Sequence, residues 1–493
     1  MVRAMAKHQW VSTGLLQTLT GKNSKTMKQV FLLVLIILPI KALQAQDSTK
    51  VFTQNELMAV VLKYHPVALQ ADINIEKSIA DILIARGDFD PMATAGTAQK
   101  TFDGTQYYNH AQPEIRIPTW YGIELVAGAE YLEGNRTNRE ETLGQTSYAG
   151  MVIPLGKNLL MDKRRAALQT AKIFRSLSEV EKRSTLNNLL LEANKAYWDW
   201  ALQYQQYQVI RNAVTVAQNR LALIKISFRQ GDRPALDTTE ALTQLQSFQY
   251  REQEALLQLQ NASLELSVFL WQQNTASYTL QPDVIPEKNW ITEPTNALSI
   301  PVLDELLQQA VIAHPDLQQY AFKLDALSID RKLKFQELLP KLDFKYNQLG
   351  KGYNLLNAKS GPLFNNNFQY GIAFSLPLRL SKGRGEFRKA KLKITETQLE
   401  QQMKKRLVEN KVKTYYNELL AISSQAAILE KAYQNFAVLQ KGEELKFRNG
   451  ESSLFLVNSR ENKTLDALEK LLKTKASYFK SRAGLFWAAG LLN

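Results

Sequence analysis

Phe228-Arg229-Gln230-Gly231-Asp232-Arg233-Pro234-Ala235-Leu236-Asp237 returns 219 residues later as Phe447-Arg448-Asn449-Gly450-Glu451-Ser452-Ser453-Leu454-Phe455-Leu456. Around the first copy, apolar residues repeat at spacings of 4 and 3. They run from Leu186 through Tyr197, Trp200, Tyr204 and Tyr207 to Phe228, with a break at Arg211, and resume from Ala241 through Phe248 to Phe269, interrupted at Glu252. That is a coiled-coil-type seam. Gly231 supplies a C-cap and Pro234 starts the next helix, so the seam predicts two antiparallel helices joined at 231–234. No proline interrupts the chain between Pro154 and Pro234 or after Pro377. A helix over 160–228 is about 100 Å long at ~1.5 Å per residue.

The repeat extends outward from this turn. His65-Pro66 recurs as His314-Pro315, Glu56-Leu57 as Glu305-Leu306 and Pro91 as Pro340, and Ile153-Pro154-Leu155 recurs as Leu376-Pro377-Leu378. The chain therefore reads as two copies of one unit, about 52–271 and 300–492, the first with some 26 extra residues between Pro91 and Pro154. Short helices are expected over 46–91 and 301–340, β regions over 92–155 and 341–378, and long helical hairpins over 156–280 and 379–493. A Pro-rich linker over 281–300 joins the copies. Each His-Pro pair follows a short amphipathic helix, with the proline suited to start the next one, so both histidines are read as structural. His110 is read as solvated in a polar loop. The aromatic run Tyr197 to Tyr207 is read as interhelical packing.

Between the helices lie alternating segments. In Lys341–Leu349, Leu342, Phe344 and Tyr346 share one face; in Phe368–Leu376, Tyr370, Ile372 and Phe374 do the same, opposite polar or small residues. About ten such residues suit a membrane β-barrel strand, although a half-buried soluble sheet gives the same alternation. Ile115–Trp120, Gly122–Leu132 and Thr146–Leu155 are the strand candidates of the first copy, the middle ones being either extra strands or a long external loop; if they span the membrane, Trp120, Tyr121 and Tyr131 are available to an interfacial girdle. The smallest spanning barrels have about eight strands, so two hairpins per chain require a barrel shared between subunits.

Composition narrows the chemistry. The chain has 493 residues, no cysteine and four histidines, none spaced as helical metal ligands, so no metal or cofactor is expected and no catalytic constellation is apparent. The net charge is +14, but residues 1–45 hold six Lys/Arg and no acid, leaving a mild, interleaved excess of 8. No nucleic-acid partner is expected. Met27-Lys28, the eleven-residue apolar run 30–40 and Ala42-Leu43-Gln44-Ala45 predict a signal peptide removed after Ala45, behind an upstream segment.

The order and duplication of these features resemble the TolC family of outer-membrane efflux proteins. In that family the turn runs approximately aromatic-x-x-Gly-x-x-Ser-x-Leu-Asp. Here Pro234 replaces the serine in the first copy, while the second keeps Ser453 and has Leu456 where an acid often stands. Val152-Ile153-Pro154-Leu155 followed by Asp162-Lys163-Arg164-Arg165-Ala166 resembles the family's strand-to-helix junction. The resemblance implies a mainly α protein with membrane β: a homotrimer whose two hairpins per subunit make a twelve-stranded outer-membrane barrel in contact with lipid, and whose long helices make a periplasmic α-barrel. It further implies a non-enzymatic conduit for efflux or type I secretion, opened at its periplasmic tip by an adaptor (membrane fusion) protein attached to an inner-membrane pump. Gly231, Asp237, Glu240, Gly450, Glu451, Ser453, Leu456 and Ser459 fall at that tip. There the gate is either a hydrophobic constriction around Leu456 or a carboxylate ring from Asp237, Glu240 or Glu451, unless these acids are simply solvated first-turn charges. The competing reading is a periplasmic coiled-coil adaptor or scaffold, which predicts a soluble mature chain.

Overall fold

The computed structural model describes residues 50–138, 142–281, 283–292, 300–353 and 366–492. The expected signal peptide, part of the linker and most of the loop after Gly350 lie outside them. Two short helices, α1 (Gln54–Tyr64) and α2 (Pro66–Gly87), precede a β region. The long hairpin of α3 (Lys163–Arg229) and α4 (Ala235–Ser267) follows. The second copy repeats this as α5 (Leu303–Ala313), α6 (Pro315–Gln336), a β region, α7 (Ser381–Arg448) and α8 (Leu454–Ala488). No helix among the described residues is long and apolar enough to cross a membrane.

The seam drives the long helices together. Leu190, Ala193, Tyr197, Trp200, Val214, Ala217, Leu221 and Ile224 are buried on α3, and Ala241, Leu245, Phe248, Ala262 and Leu266 on α4. α3 runs unbroken through Arg211, because one exposed charge does not interrupt a helix whose neighbours stay packed. Trp198 stacks on Phe479 of α8 at 4.3 Å, and the Tyr197 hydroxyl donates to the Phe52 carbonyl at 3.0 Å. The aromatic run is therefore the packing centre of both hairpins, and burial pushes the Tyr197 phenol well above its ordinary pKa.

His65 and His314 are N-caps. Each Nδ1 accepts from a backbone N–H two residues on, Val67 at 3.2 Å and Asp316 at 3.1 Å, with Pro66 and Pro315 as the first helical residues. Accepting requires a neutral ring, and burial favours it by lowering both pKa values.

The β regions of the two copies form one antiparallel sheet of six strands in sequential order. β1 (Met92–Phe102), β2 (Thr105–Pro118), β3 (Glu124–Glu133) and β4 (Gly144–Pro154) come from the first copy, and β5 (Lys341–Lys351) and β6 (Phe368–Ser375) from the second. Of the two alternatives for the extra residues, the structure has strands: among the described residues there are three hairpins rather than two, because Asp103 (φ +50°) and Gly104 (φ +73°) close an additional β1–β2 hairpin with the paired positive φ of a type I′ turn. His110 is corrected with it. It lies on β2 rather than in a loop, its Nε2 2.8 Å from the Glu130 carboxylate on β3.

Candidate functional site

The two hairpin turns have the same backbone. At the first, Gly231 (φ +82°) donates to the Phe228 carbonyl at 3.1 Å and Asp232 to Ser227 at 3.0 Å; at the second, Gly450 (φ +79°) donates to Phe447 at 3.2 Å and Glu451 to Lys446 at 2.9 Å. Both are Schellman caps, which close the last helical turn only where one residue enters the left-handed region. The following helices start differently. Pro234 precedes α4 without a side-chain cap, whereas Ser453 caps α8 by accepting from the Leu456 N–H at 3.4 Å.

Side chains then bind the two tips to each other. Arg233 donates to the Phe447 carbonyl at 3.0 Å, lies over the Phe447 ring at 4.1 Å and pairs with Asp237 at 3.6 Å. Above the tip, Arg220 of α3 grips the buried Glu461 of α8 with two hydrogen bonds of 2.7 and 2.9 Å and Asn458 with a third of 3.1 Å. Asn458 in turn donates to Glu240 at 3.2 Å. Two further cross-hairpin contacts, Gln244 with Asn462 and Arg251 with Glu469, continue the ladder between α4 and α8.

The expected tip residues thus separate into two groups. Asp237 and Glu240 are engaged by Arg233 and Asn458, while Glu451, Ser453 and Leu456 are exposed and Ser459 is half-buried. The structure adds Leu236 and Phe455, 73% and 67% exposed, to the apolar side chains at the turns. Phe455 immediately precedes Leu456, so its place at the tip was readable from the sequence.

At the other end, the register sets the six expected strand residues directly opposite one another: Leu342 with Phe374, Phe344 with Ile372 and Tyr346 with Tyr370. Ile372 and Phe374 are each 65% exposed, although Tyr346 is buried. The opposite face carries the charged groups. Tyr148 on β4 lies across Gly128 on β3 and donates to Glu114 on β2 at 2.7 Å; Arg116 pairs with Glu114 at 2.8 Å and, at 3.6 Å, with Glu124. Arg164 at the start of α3 reaches Glu124 at 2.5 Å, and Lys157 pairs with Glu337 after α6 at 2.7 Å, so the sheet stands directly on the helices.

Residues 126–270, from β3 through α4 to just beyond its end, match the family model of the outer membrane efflux protein. Over this segment the chain resembles the outer membrane efflux proteins. Likeness of fold to solved structures extends over most of its length. The chain resembles the CmeC outer membrane channel of Campylobacter jejuni (TM-score 0.59, 16% identity, 89% of this chain and 85% of that one). It also resembles the outer membrane protein VceC of Vibrio cholerae (0.61, 13%, 89% and 96%) and the open MtrE outer membrane channel of Neisseria gonorrhoeae (0.59, 12%, 89% and 88%). No curated protein matches the sequence. Within this fold the tip and the sheet are the two ends of one long helical body.

Proposed function

We propose that this chain forms the exit duct of a tripartite efflux or type I secretion system. Three copies close a barrel in the outer membrane, their long helices continue it as a periplasmic tunnel, and the tips meet a periplasmic adaptor attached to an inner-membrane pump. The duct is passive: the inner-membrane partner drives the substrate, and the tip gates it. An N-terminal signal peptide is removed on export.

One observation carries this reading. A sheet with an apolar face, a charge-bearing face and two open edges is continuous with helices of 67 and 68 residues. A sheet in hydrocarbon must close to satisfy its edge N–H and C=O groups, and six strands fall below the smallest barrels, so closure calls for further copies. A coiled-coil adaptor has no use for such a sheet. At the tip, Leu236, Phe455 and Leu456 favour a constriction with an apolar rim, and the engagement of Asp237 and Glu240 leaves Glu451 as the carboxylate available to a ring.

Membrane fractionation, followed by electrophoresis of detergent-extracted protein unheated and heated, tests the reading. An outer-membrane species of trimer mass that heat converts to monomer is expected. A soluble periplasmic monomer overturns it.

A further inference from the structure

The additional hairpin β1–β2 bears on the width of the barrel. On one face of the sheet, Ala93, Ala95, Ala111, Pro113, Ile115 and Ile117 continue the apolar rows of β3 to β6; Ile115, for example, pairs with both Ala93 and Ala127. On the other face, Gln112, Glu114 and Arg116 join the polar network of β3 and β4. Both faces of the hairpin are thus in phase with the rest of the sheet, as a wall with lipid outside and water inside requires.

The hairpin is also fastened from within. The Tyr148 hydroxyl accepts from Gln112 at 2.9 Å while donating to Glu114, so one ring on β4 spans β3 and ties β2 down. It can cross because residue 128 is glycine: a Cβ there would lie 2.6 Å from the Tyr148 oxygen. At its base, Trp120 in the β2–β3 turn stacks on Phe89 after α2 at 4.4 Å.

The geometry points to an eighteen-stranded barrel, six strands from each of three copies, in which β1 of one copy pairs with β6 of the next. This rests on the channel reading above and extends it to the strand count and the seam. The helices beneath the sheet, α2, α3, α6 and α7, lie side by side. At about 10 Å per helix they span an arc of about 40 Å per chain. Six strands about 4.8 Å apart and tilted about 40° span about 38 Å, whereas four span only about 25 Å. The hairpin therefore matches the sheet to the helical body. Eighteen strands give a backbone diameter of about 36 Å, in the range of barrels that leave an aqueous channel. The enclosed cross-section is about 2-fold that of twelve strands, since diameter grows with strand number.

The native chain contains no cysteine, so disulfide trapping reads the seam directly. Ala95→Cys is combined in turn with Tyr370→Cys, Ile372→Cys and Phe374→Cys, and Ala127→Cys with the same three. The full-length proteins are oxidised in outer-membrane vesicles and resolved as denatured dimers and trimers. Trapping of a β1–β6 pair, with none from β3 to β6, is expected. Linkage from Ala127, or an intact outer-membrane trimer with no β1–β6 product, overturns the eighteen-stranded wall and leaves the channel reading standing. Absence of any outer-membrane trimer overturns the channel reading itself.

Discussion

The two copies of the unit agree at the tip and differ at the sheet. At the turns the same Schellman hydrogen bonds recur around Gly231 and Gly450, although the residues that follow have diverged. At the sheet the first copy contributes four strands and the second two. The difference follows from what each end must satisfy. A helix reversing direction has few ways to pair its last carbonyls, and the contacts between α4 and α8 hold nearly equivalent positions of the two copies against each other. A meander sheet asks only that its faces alternate and that the chain return to the side it left. A whole hairpin meets both demands, whereas a single added strand would put the next helix at the wrong end.

The largest expected effect comes from the contact that breaks the equivalence. The positions corresponding to Arg220 and Glu461 in the opposite copies are Leu439 and Leu242, both exposed, so this ion pair occurs in one arrangement only. Glu461→Ala leaves the partly buried Arg220 guanidinium without its carboxylate and is expected to destabilise the protein by about 3–5 kcal/mol, as for other broken buried pairs. Leu439→Ala should change stability by only about 0.5 kcal/mol, as expected for surface positions. Denaturant unfolding of the detergent-solubilised protein, followed by circular dichroism, makes the comparison. Equal losses at the two positions would show that the ion pair does not distinguish the hairpins.

Next comes the feature that the copies share. Gly231→Ala and Gly450→Ala each place a Cβ in the left-handed region, with an expected loss of about 1–2 kcal/mol. Because no heavy atom lies within 4 Å of either added Cβ, conformation alone should set the loss and it should be similar in the two copies. A marked inequality in the same unfolding assay would mean that one turn is held by contacts the other lacks.

How much of this was legible varies with sequence distance. The duplication, the long helices, the His-Pro starts and the alternation of β5 and β6 are local patterns and could be read directly. The β1–β2 hairpin could not be read from alternation, because Met92–Phe102 carries small residues on both faces and Pro113 interrupts β2. Its one clear signal was Asp103-Gly104, a strong hairpin turn pair. The bridge from Tyr148 over Gly128, and the pairing of Arg220 with Glu461 across 241 residues, depend on register and helix packing that no local pattern encodes.

The cap histidines give a smaller, pH-dependent effect. Burial lowers both pKa values from the usual 6.5, with Asp316 opposing the shift at His314, Lys404 and Lys411 adding to it, and the Val268 backbone opposing it at His65. The unfolded chain therefore binds more protons, so the histidine contribution to stability is complete above about pH 6.5 and declines as pH falls through that value toward the lowered folded pKa values. Replacing both by asparagine, which also caps helices, should flatten this part of the stability profile between pH 5 and 7 while leaving stability at pH 8 nearly unchanged. A slope that persists in the double variant would place its origin in other groups.

The smallest expected effect is at Asp237, and it bears on the proposed gate. Its pair with Arg233 has no counterpart in the second copy, where Ser452 and Leu456 stand at the matching positions. An i, i+4 pair of this kind contributes about 0.3–0.5 kcal/mol. Arg233 keeps the Phe447 carbonyl and ring without it, so Asp237→Asn should leave folding almost unchanged. It should also leave cation-over-anion selectivity almost unchanged in planar bilayers, because the adjacent guanidinium offsets the Asp237 carboxylate. Glu451→Gln should lower that selectivity more, since Glu451 is exposed at the turn. Reversal of this order would make Asp237 the carboxylate that faces the passing ion. The first copy's turn, rather than the second's, would then set the charge at the proposed constriction.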